Sequence, residues 1–476
     1  MNLPRRLLPL ALGSVGIATL ASPAIAQAHG IIGKADLPIP VWLFSWAAAV
    51  VLVVSFVALS TLWRTPQLQS EYRRPMFKMP ALLARAASVV GTGLFALVLY
   101  SGFAGAQVAT VNFSVTFIYV IFWVGLPVLS VLFGDVFAAL SPWRSCARAV
   151  HWAGCRLAPG RFERAPLAYP GWLGMWPAVV CLIGFAWLEL VYVPADRDHP
   201  ATLAALSLAY FAAMLLGMAL FGVERWSEQG DGFGAYLQLL SRMSTLCNER
   251  GLLYRRRLLS GLADMPVRAG TVALVCTVIG TTTFDGFSNG GLWRSLEPEL
   301  QSVFAALGFT ETPAVELTYT VGLLGCVALV AGVYRLGIAG VHGVNRRHGM
   351  TELSHSFAHT LAPIGFAYVL AHYFSLLIWQ GQAVGYLASD PLGNGADIFG
   401  TGSWQIDYAI VSYAAIWYVQ VAALVSGHVG GLALAHDRAL ATYSDAREAI
   451  RSQYWMLAVM VAFTSFGLWL LSSVGT

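Results

Sequence analysis

Residues 114–133 read SVTFIYVIFWVGLPVLSVLF and are followed by 134–148, GDVFAALSPWRSCAR. The first stretch carries no charged side chain over twenty positions. At 1.5 Å per residue, a helix of about 20 apolar residues is long enough to cross the hydrocarbon core of a bilayer. The second stretch brings two arginines at once, after a proline, Pro142, that stops the helix. An apolar span followed by a basic gap is the unit from which the rest of the chain is read.

The unit recurs. Ten apolar stretches of spanning length start near Pro40, Arg85, Ser114, Trp172, Ala201, Arg268, Ala314, Leu353, Ala409 and Tyr454. The basic residues fall in every second gap. The gap after the first span holds Arg64, Arg73, Arg74, Lys78 and Arg85. The gap after the third holds Arg144, Arg148, Arg156, Arg161 and Arg164. The gap after the fifth holds Arg225, Arg242, Arg250, Arg255, Arg256, Arg257 and Arg268. Arg335, Arg346 and Arg347 follow the seventh span, and Arg438, Arg447 and Arg451 the ninth. Of the 28 Lys and Arg, only Arg5, Arg6, Lys34, Arg197 and Arg294 fall elsewhere. Positive charge stays on the cytoplasmic side. The expected fold is therefore all-α and polytopic, with about ten transmembrane helices and both termini outside.

Composition agrees. The chain of 476 residues is 57% hydrophobic and only 11% charged, against about 25% charged in soluble domains. Residues 1–28 read as a cleaved signal peptide. Arg5 and Arg6 precede the apolar run Leu7 to Leu20, and Ala26-Gln27-Ala28 gives the small-x-small cleavage pattern. An uncleaved anchor is the other reading. Cleavage after Ala28 would leave His29 at the mature N-terminus, where an amine and an imidazole can meet a metal such as copper. Residues 29–476 then form one multi-pass transmembrane domain.

Several classes are excluded. The six cysteines form no Cys-x-x-Cys pair, which removes zinc-finger and thioredoxin readings. No phosphate loop or dinucleotide fingerprint occurs. The arginines are dispersed along one membrane face with no nucleic-acid module, so the expected partners are membrane lipid and an apolar small molecule. The outer gaps are acidic, with Asp36, Asp196, Asp198, Asp285, Glu297, Glu299, Glu311, Asp390, Asp397 and Asp407.

The long internal gap at 222–267 is not low-complexity. Ala235 to Leu246 has helical spacing suited to a helix lying on the cytoplasmic surface. Gly230-Asp231-Gly232-Phe233 echoes Gly134-Asp135-Val136-Phe137, a hint of an internal repeat. The glycine-rich stretch 381–405 reads as an external loop.

Ionisable groups inside lipid are costly, so each is a functional candidate. His359 and His428 each lie about 9 Å from the inner ends of consecutive spans. Gly427, Gly430 and Gly431 would let a neighbouring helix come close there. Such a pair can bind a divalent metal, zinc or copper, or a haem. Two neutral histidines bonded to backbone would look the same. A second set sits near the outer boundary: Asp285 in TTTFDG, Glu316, His372, Asp407 and Glu189. Carboxylates and a histidine at one depth can hold a metal and activate water, or simply face the aqueous phase. The expected ligands are His359, His372 and His428, with Asp285 or Glu316 as catalytic base.

Five segments carry a family resemblance: AHGIIGKADLPIPVWLFSWAAAVVLVVSF at 28–56, GDVFAALSPWR at 134–144, TTTFDGFSNGGLW at 281–293, LAPIGFAYVLAHYFSLLIWQGQ at 361–382 and IWYVQVAALVSGHVGGLALAHDRAL at 416–440. Together they make the chain similar to bacterial multi-pass membrane proteins called fenitrothion hydrolases. The resemblance spans nearly the whole chain. It implies hydrolysis of an organophosphorus triester with release of 3-methyl-4-nitrophenol, and it supplies no catalytic motif. Soluble phosphotriesterases use histidine-rich metal sites on a barrel, which this chain lacks. The alternative from the residues themselves is a membrane transporter, or a metal- or haem-binding membrane protein.

Overall fold

The computed structural model describes residues 41–69, 72–160, 165–192 and 198–473. The expected signal segment 1–28, with His29, Lys34, Asp36, Pro40, Arg161, Arg164, Asp196 and Arg197, lies outside them.

The chain opens with α1 (Val41–Leu62), a first strand β1 (Arg73–Lys78) and α2 (Ala81–Ala104). The stretch quoted at the outset is one continuous helix, α3 (Phe113–Phe133). Its middle, Phe117–Gly125, is wound as a π-helix. Pro127 lies just beyond, where the missing N–H cannot return to the carbonyl four residues back. Widening of the turn near such a residue is one way the freed carbonyls are accommodated. Two short pieces follow, α4 (Phe137–Leu140) and α5 (Pro142–Leu157), then α6 (Trp176–Leu190), α7 (Pro200–Phe221), α8 (Val223–Gln229) and α9 (Gly232–Ser241). Strands β2 (Leu246–Glu249) and β3 (Leu252–Arg256) come next. After a four-residue helical turn at Ser260–Ala263, the remaining helices are α10 (Thr271–Ser288), α11 (Gly291–Ala306), α12 (Glu311–Val344), α13 (Met350–Gln380), α14 (Ala383–Ser389), α15 (Tyr413–Thr442) and α16 (Ala446–Ser473).

Seven of these, α2, α3, α7, α10, α12, α13 and α15, are long and apolar enough to cross a membrane. Helices also stand at the other three expected places, α1, α6 and α16, but do not meet that measure among the described residues; α6 has 15 residues.

Helix accounts for 73% of the structure, yet the all-α expectation needs one amendment. The basic gaps after the first and fifth spans meet in a three-stranded antiparallel sheet, order β1-β3-β2. Arg73 faces Arg256 and Pro75 faces Tyr254, while Glu249 faces Leu252. The β2–β3 turn is Arg250-Gly251, with φ of 52° and 83°. Two positive φ angles in a two-residue turn suit the right-handed twist of the strands. Asn248 Oδ1 accepts from Gly251 N at 3.0 Å and closes it. Like charges facing across strands repel, and Arg73 is answered by Glu249 and by Asp264.

A second amendment concerns 235–246. A helix is present, but α9 ends at Ser241 and its Phe233, Tyr236, Leu237, Leu239 and Leu240 are buried. It packs inside the largest core cluster with Trp123, Trp143 and Tyr373 instead of lying on a surface. The stretch 381–405 likewise contains a short helix, α14, before its turns.

Helices α13 and α15 approach very closely. A Cβ on Gly427 would lie 2.3 Å from Ala367 Cβ, and one on Gly431 would lie 2.8 Å from the Thr360 carbonyl oxygen. Glycine removes the only atoms that would hold the backbones apart. α13 also tightens to a 3₁₀ turn at Ala358–Leu361. Pro363 accounts for it, because its ring clashes with the His359 carbonyl four residues earlier.

Candidate functional site

The outer polar set divides. Asp285 stands on the last turn of α10 and is 2% exposed; His372 stands in the last third of α13 and is 8% exposed. Close packing brings the two helices together, with a Cβ on Gly365 falling 3.2 Å from Val278. His372 Nε2 lies 2.8 Å from Asp285 Oδ2. The Tyr373 hydroxyl donates to the same oxygen at 2.6 Å. The neighbouring hydroxyls add nothing: Thr281, Thr282 and Thr283 each donate to a carbonyl three or four residues back in their own helix. Glu189 of α6 and Trp123 of the π-helix lie around Tyr373.

This arrangement fixes a tautomer. A carboxylate is an acceptor only, so a neutral His372 facing an ionised Asp285 carries its proton on Nε2 and its lone pair on Nδ1. Among the described residues His372 makes no other hydrogen bond. The result is a histidine oriented by a buried aspartate, with a basic nitrogen left over. That is the geometry by which a general base is held in the productive tautomer.

The remaining expected residues are not part of it. Glu316 is half-buried on α12, and its carboxylate makes no hydrogen bond or ion pair among the described residues. Asp407 is exposed and accepts from Ala409 N. His428 is fully buried, and its Nδ1 lies 2.8 Å from the Leu424 carbonyl of its own helix. His428 faces Tyr368 and Phe463, at ring distances of 6.2 and 6.3 Å, whereas His359 lies beside Arg438. A guanidinium next to an imidazole disfavours a metal cation there.

The expected ligand set His359, His372 and His428 therefore does not assemble. No group of three or more His, Cys, Asp or Glu able to hold a metal occurs among the described residues. The inner pair does not fit a haem either. The cavity beside His428 is about 50 Å3, far below the size of a macrocycle, and α13 and α15 touch at Gly427 and Gly431.

His436-Asp437-Arg438 has a structural part. Asp437 is fully buried. It accepts from Trp63 Nε1 at 3.0 Å, Gln67 N at 2.6 Å, Leu68 N at 3.2 Å and Gln69 Nε2 at 2.8 Å. His436 Nε2 lies 3.0 Å from the Trp63 carbonyl. Together they fasten the segment after α1 to the end of α15.

A cavity of about 480 Å3 is lined by Phe95, Phe117, Phe122, Phe185, Trp187 and Phe233, among others, and not by Asp285, His372 or Tyr373 themselves. Its wall reaches the cluster through Trp123, whose ring centroid is 4.7 Å from that of Phe185. Volumes of a few hundred cubic ångströms with mostly apolar lining are typical of small-molecule sites.

Sequence reasoning named Asp285 and His372 and missed Tyr373. The sign was there: a tyrosine directly after a histidine inside a span, whose hydroxyl needs a partner in lipid. It also missed the aromatic cavity, because Phe and Trp scattered over α2, α3, α6 and α9 converge only in three dimensions. The chain matches no family model, no curated protein and no solved structure.

Proposed function

We propose that the chain is a polytopic inner-membrane hydrolase of apolar organophosphorus triesters, with His372 as general base. The observation that carries this reading is the buried Asp285–His372–Tyr373 cluster, which Trp123 links to Phe185 in the wall of the aromatic cavity. The resemblance to fenitrothion hydrolases supplies the substrate class. The topology that goes with it has ten spans, a removed signal peptide, the basic gaps and the sheet on the cytoplasmic side, and both termini outside. The distribution of arginine supports that orientation.

In this mechanism a lipid-soluble triester enters the aromatic cavity from the bilayer. His372 Nδ1 takes a proton from water. The water oxygen bonds to phosphorus as the bond from phosphorus to the aryl oxygen breaks. The nitrophenolate leaves and takes up a proton, and His372 returns to its neutral form. Asp285 holds the ring and stabilises the imidazolium, and Tyr373 holds Asp285. Positioned general bases contribute about 10²- to 10⁴-fold, which suits a triester whose leaving group is already good.

Membranes of an overexpressing host should release nitrophenol from fenitrothion above an empty-vector control, and His372→Gln should remove the excess. A proton-coupled carrier is the second reading. The nine-residue π-helix next to the same cluster favours it, since such segments concentrate at functional sites. Substrate-dependent proton uptake by vesicles, without nitrophenol release, would select the carrier.

A further inference from the structure

A second cavity lies directly against the first. It is polar, has a volume of about 430 Å3, and is lined by Asp135, Arg144, Arg148, Ser227, Asp231 and Arg250, among others. Asn248 and Gly251, which line it too, place it at the sheet end of the molecule.

One layer of side chains separates the two. Asp231 lines the polar cavity, and Trp143, Tyr210 and Phe233 line the apolar one. Asp231 Oδ2 accepts from Trp143 Nε1 at 2.6 Å, and Oδ1 accepts from the Tyr210 hydroxyl at 2.7 Å. The two echoed motifs converge on this wall. Phe137 of the first and Phe233 of the second both pack on Phe122, with ring centroids 5.7 and 4.7 Å away. Asp135 of the first caps α4 by accepting from Ala138 N at 3.0 Å, and Asp135 and Asp231 line the polar cavity together.

The polar side also holds uncommitted groups. Arg144 Nε and Ser227 Oγ are buried and have no hydrogen-bond partner among the described residues. Both residues line the polar cavity. Buried polar groups without partners are costly, so a bound molecule or water is the natural partner here.

We propose that the two cavities are halves of one path for a ring-sized apolar molecule bearing a single polar or acidic group, closed by the Trp143–Asp231–Tyr210 latch. The aromatic half accepts the ring. The polar half offers Arg144, Ser227 and Arg250 to the polar group. The latch holds the halves apart with two short hydrogen bonds and two aromatic rings. The path does not depend on the reaction proposed above; a phenol and a transported aromatic acid have the same chemistry in this respect.

Cys181 lines the aromatic half and serves as a reporter. The experiment uses the full chain in nanodiscs, with Cys181 as its only cysteine, and a positively charged methanethiosulfonate. Such a reagent reaches Cys181 only through water. Labelling should be slow in the parent chain and at least tenfold faster in Trp143→Ala. It should rise less in Trp143→Phe, which keeps a ring and loses only the Nε1 bond. The same two substitutions in a chain whose only cysteine is the buried Cys276 should leave labelling slow. In Trp143→Ala, 4-nitrophenol should slow labelling of Cys181 and acetate should not.

Fast labelling in the parent chain would show that no latch closes the path. Unchanged labelling in both variants, or an equal rise at Cys276, would overturn the path. Failure of 4-nitrophenol to protect would overturn the ligand class.

Discussion

Removing the Asp437 carboxylate tests whether a buried ionisable group near the end of α15 works as a fastener or as part of a reaction. Four donors converge on it, from Trp63, Gln67, Leu68 and Gln69. A hydrogen bond to a charged group contributes about 1.5–3 kcal/mol, and an orphaned buried donor costs about 1–3 kcal/mol. The four do not count equally. Gln67 is exposed and Gln69 half-exposed, so water replaces the carboxylate for them. Leu68 N is buried and Trp63 Nε1 partly so, and these lose the most. Asp437→Ala should therefore destabilise the chain by about 2–4 kcal/mol, and Asp437→Asn by about 1–2 kcal/mol, because the amide still accepts through one oxygen. The assay is equilibrium unfolding of the purified protein in detergent titrated with SDS, followed by near-ultraviolet circular dichroism. Nitrophenol release measured where both variants remain folded should match the parent. An Asp437→Ala chain within about 0.5 kcal/mol of the parent would refute the fastener. So would an asparagine variant less stable than the alanine one.

Other consequences are equally direct. His428→Gln should leave hydrolysis within about twofold of the parent, because His428 is bonded to its own helix and stands apart from the cluster; kinetic comparison with His372→Gln checks this. Gly427→Ala should cost about 1–3 kcal/mol by overpacking, with the new methyl 2.3 Å from Ala367 Cβ, read from the same SDS titration. In the first turn of α8, burial raises the Glu224 carboxyl pKa, and the Arg144 and Arg148 guanidiniums more than reverse this, leaving it below its ordinary value of 4.5. A lowered acid stabilises the fold above that ordinary value and loses its contribution as pH falls through the folded-state value. Glu224→Gln should thus weaken the fold slightly at neutral pH, and by progressively less as pH falls below 4.5. The neutral-pH effect should stay under about 1 kcal/mol because the side chain is more than half exposed and solvent screens the pair.

Length and charge carry most of what can be read without coordinates. A bilayer imposes a fixed thickness, and translocation imposes a bias on Arg and Lys, so both leave one-dimensional marks such as 114–133 and the basic gap behind it. The sheet leaves no such mark. Its strands Arg73–Lys78 and Leu252–Arg256 are charged and short, and its turn is Arg-Gly where Asn-Gly or Asp-Gly would have signalled a hairpin. The site is half legible. Lipid makes any buried ionisable residue conspicuous, which picks out Asp285, His372, His359 and His428 alike. Only packing separates the pair that meets from the residues that bond to backbone. The small residues at 427, 430 and 431 announced a close helix contact and did not announce which side chains and carbonyls it brings together. The GDxF echo was visible as four letters; that its two copies share one wall depends on how α4 and α9 meet.

The most direct test of the account is nitrophenol release from fenitrothion by the purified chain and its Asp285→Asn variant, each with and without a chelator. Asparagine keeps the shape of the cluster and removes the charge that orients His372 and stabilises its imidazolium. The account expects release by the parent that survives chelation and falls by about 10²-fold or more in the variant. Full activity in Asp285→Asn, loss of the parent's activity on chelation, or no release above an inactive control would contradict it.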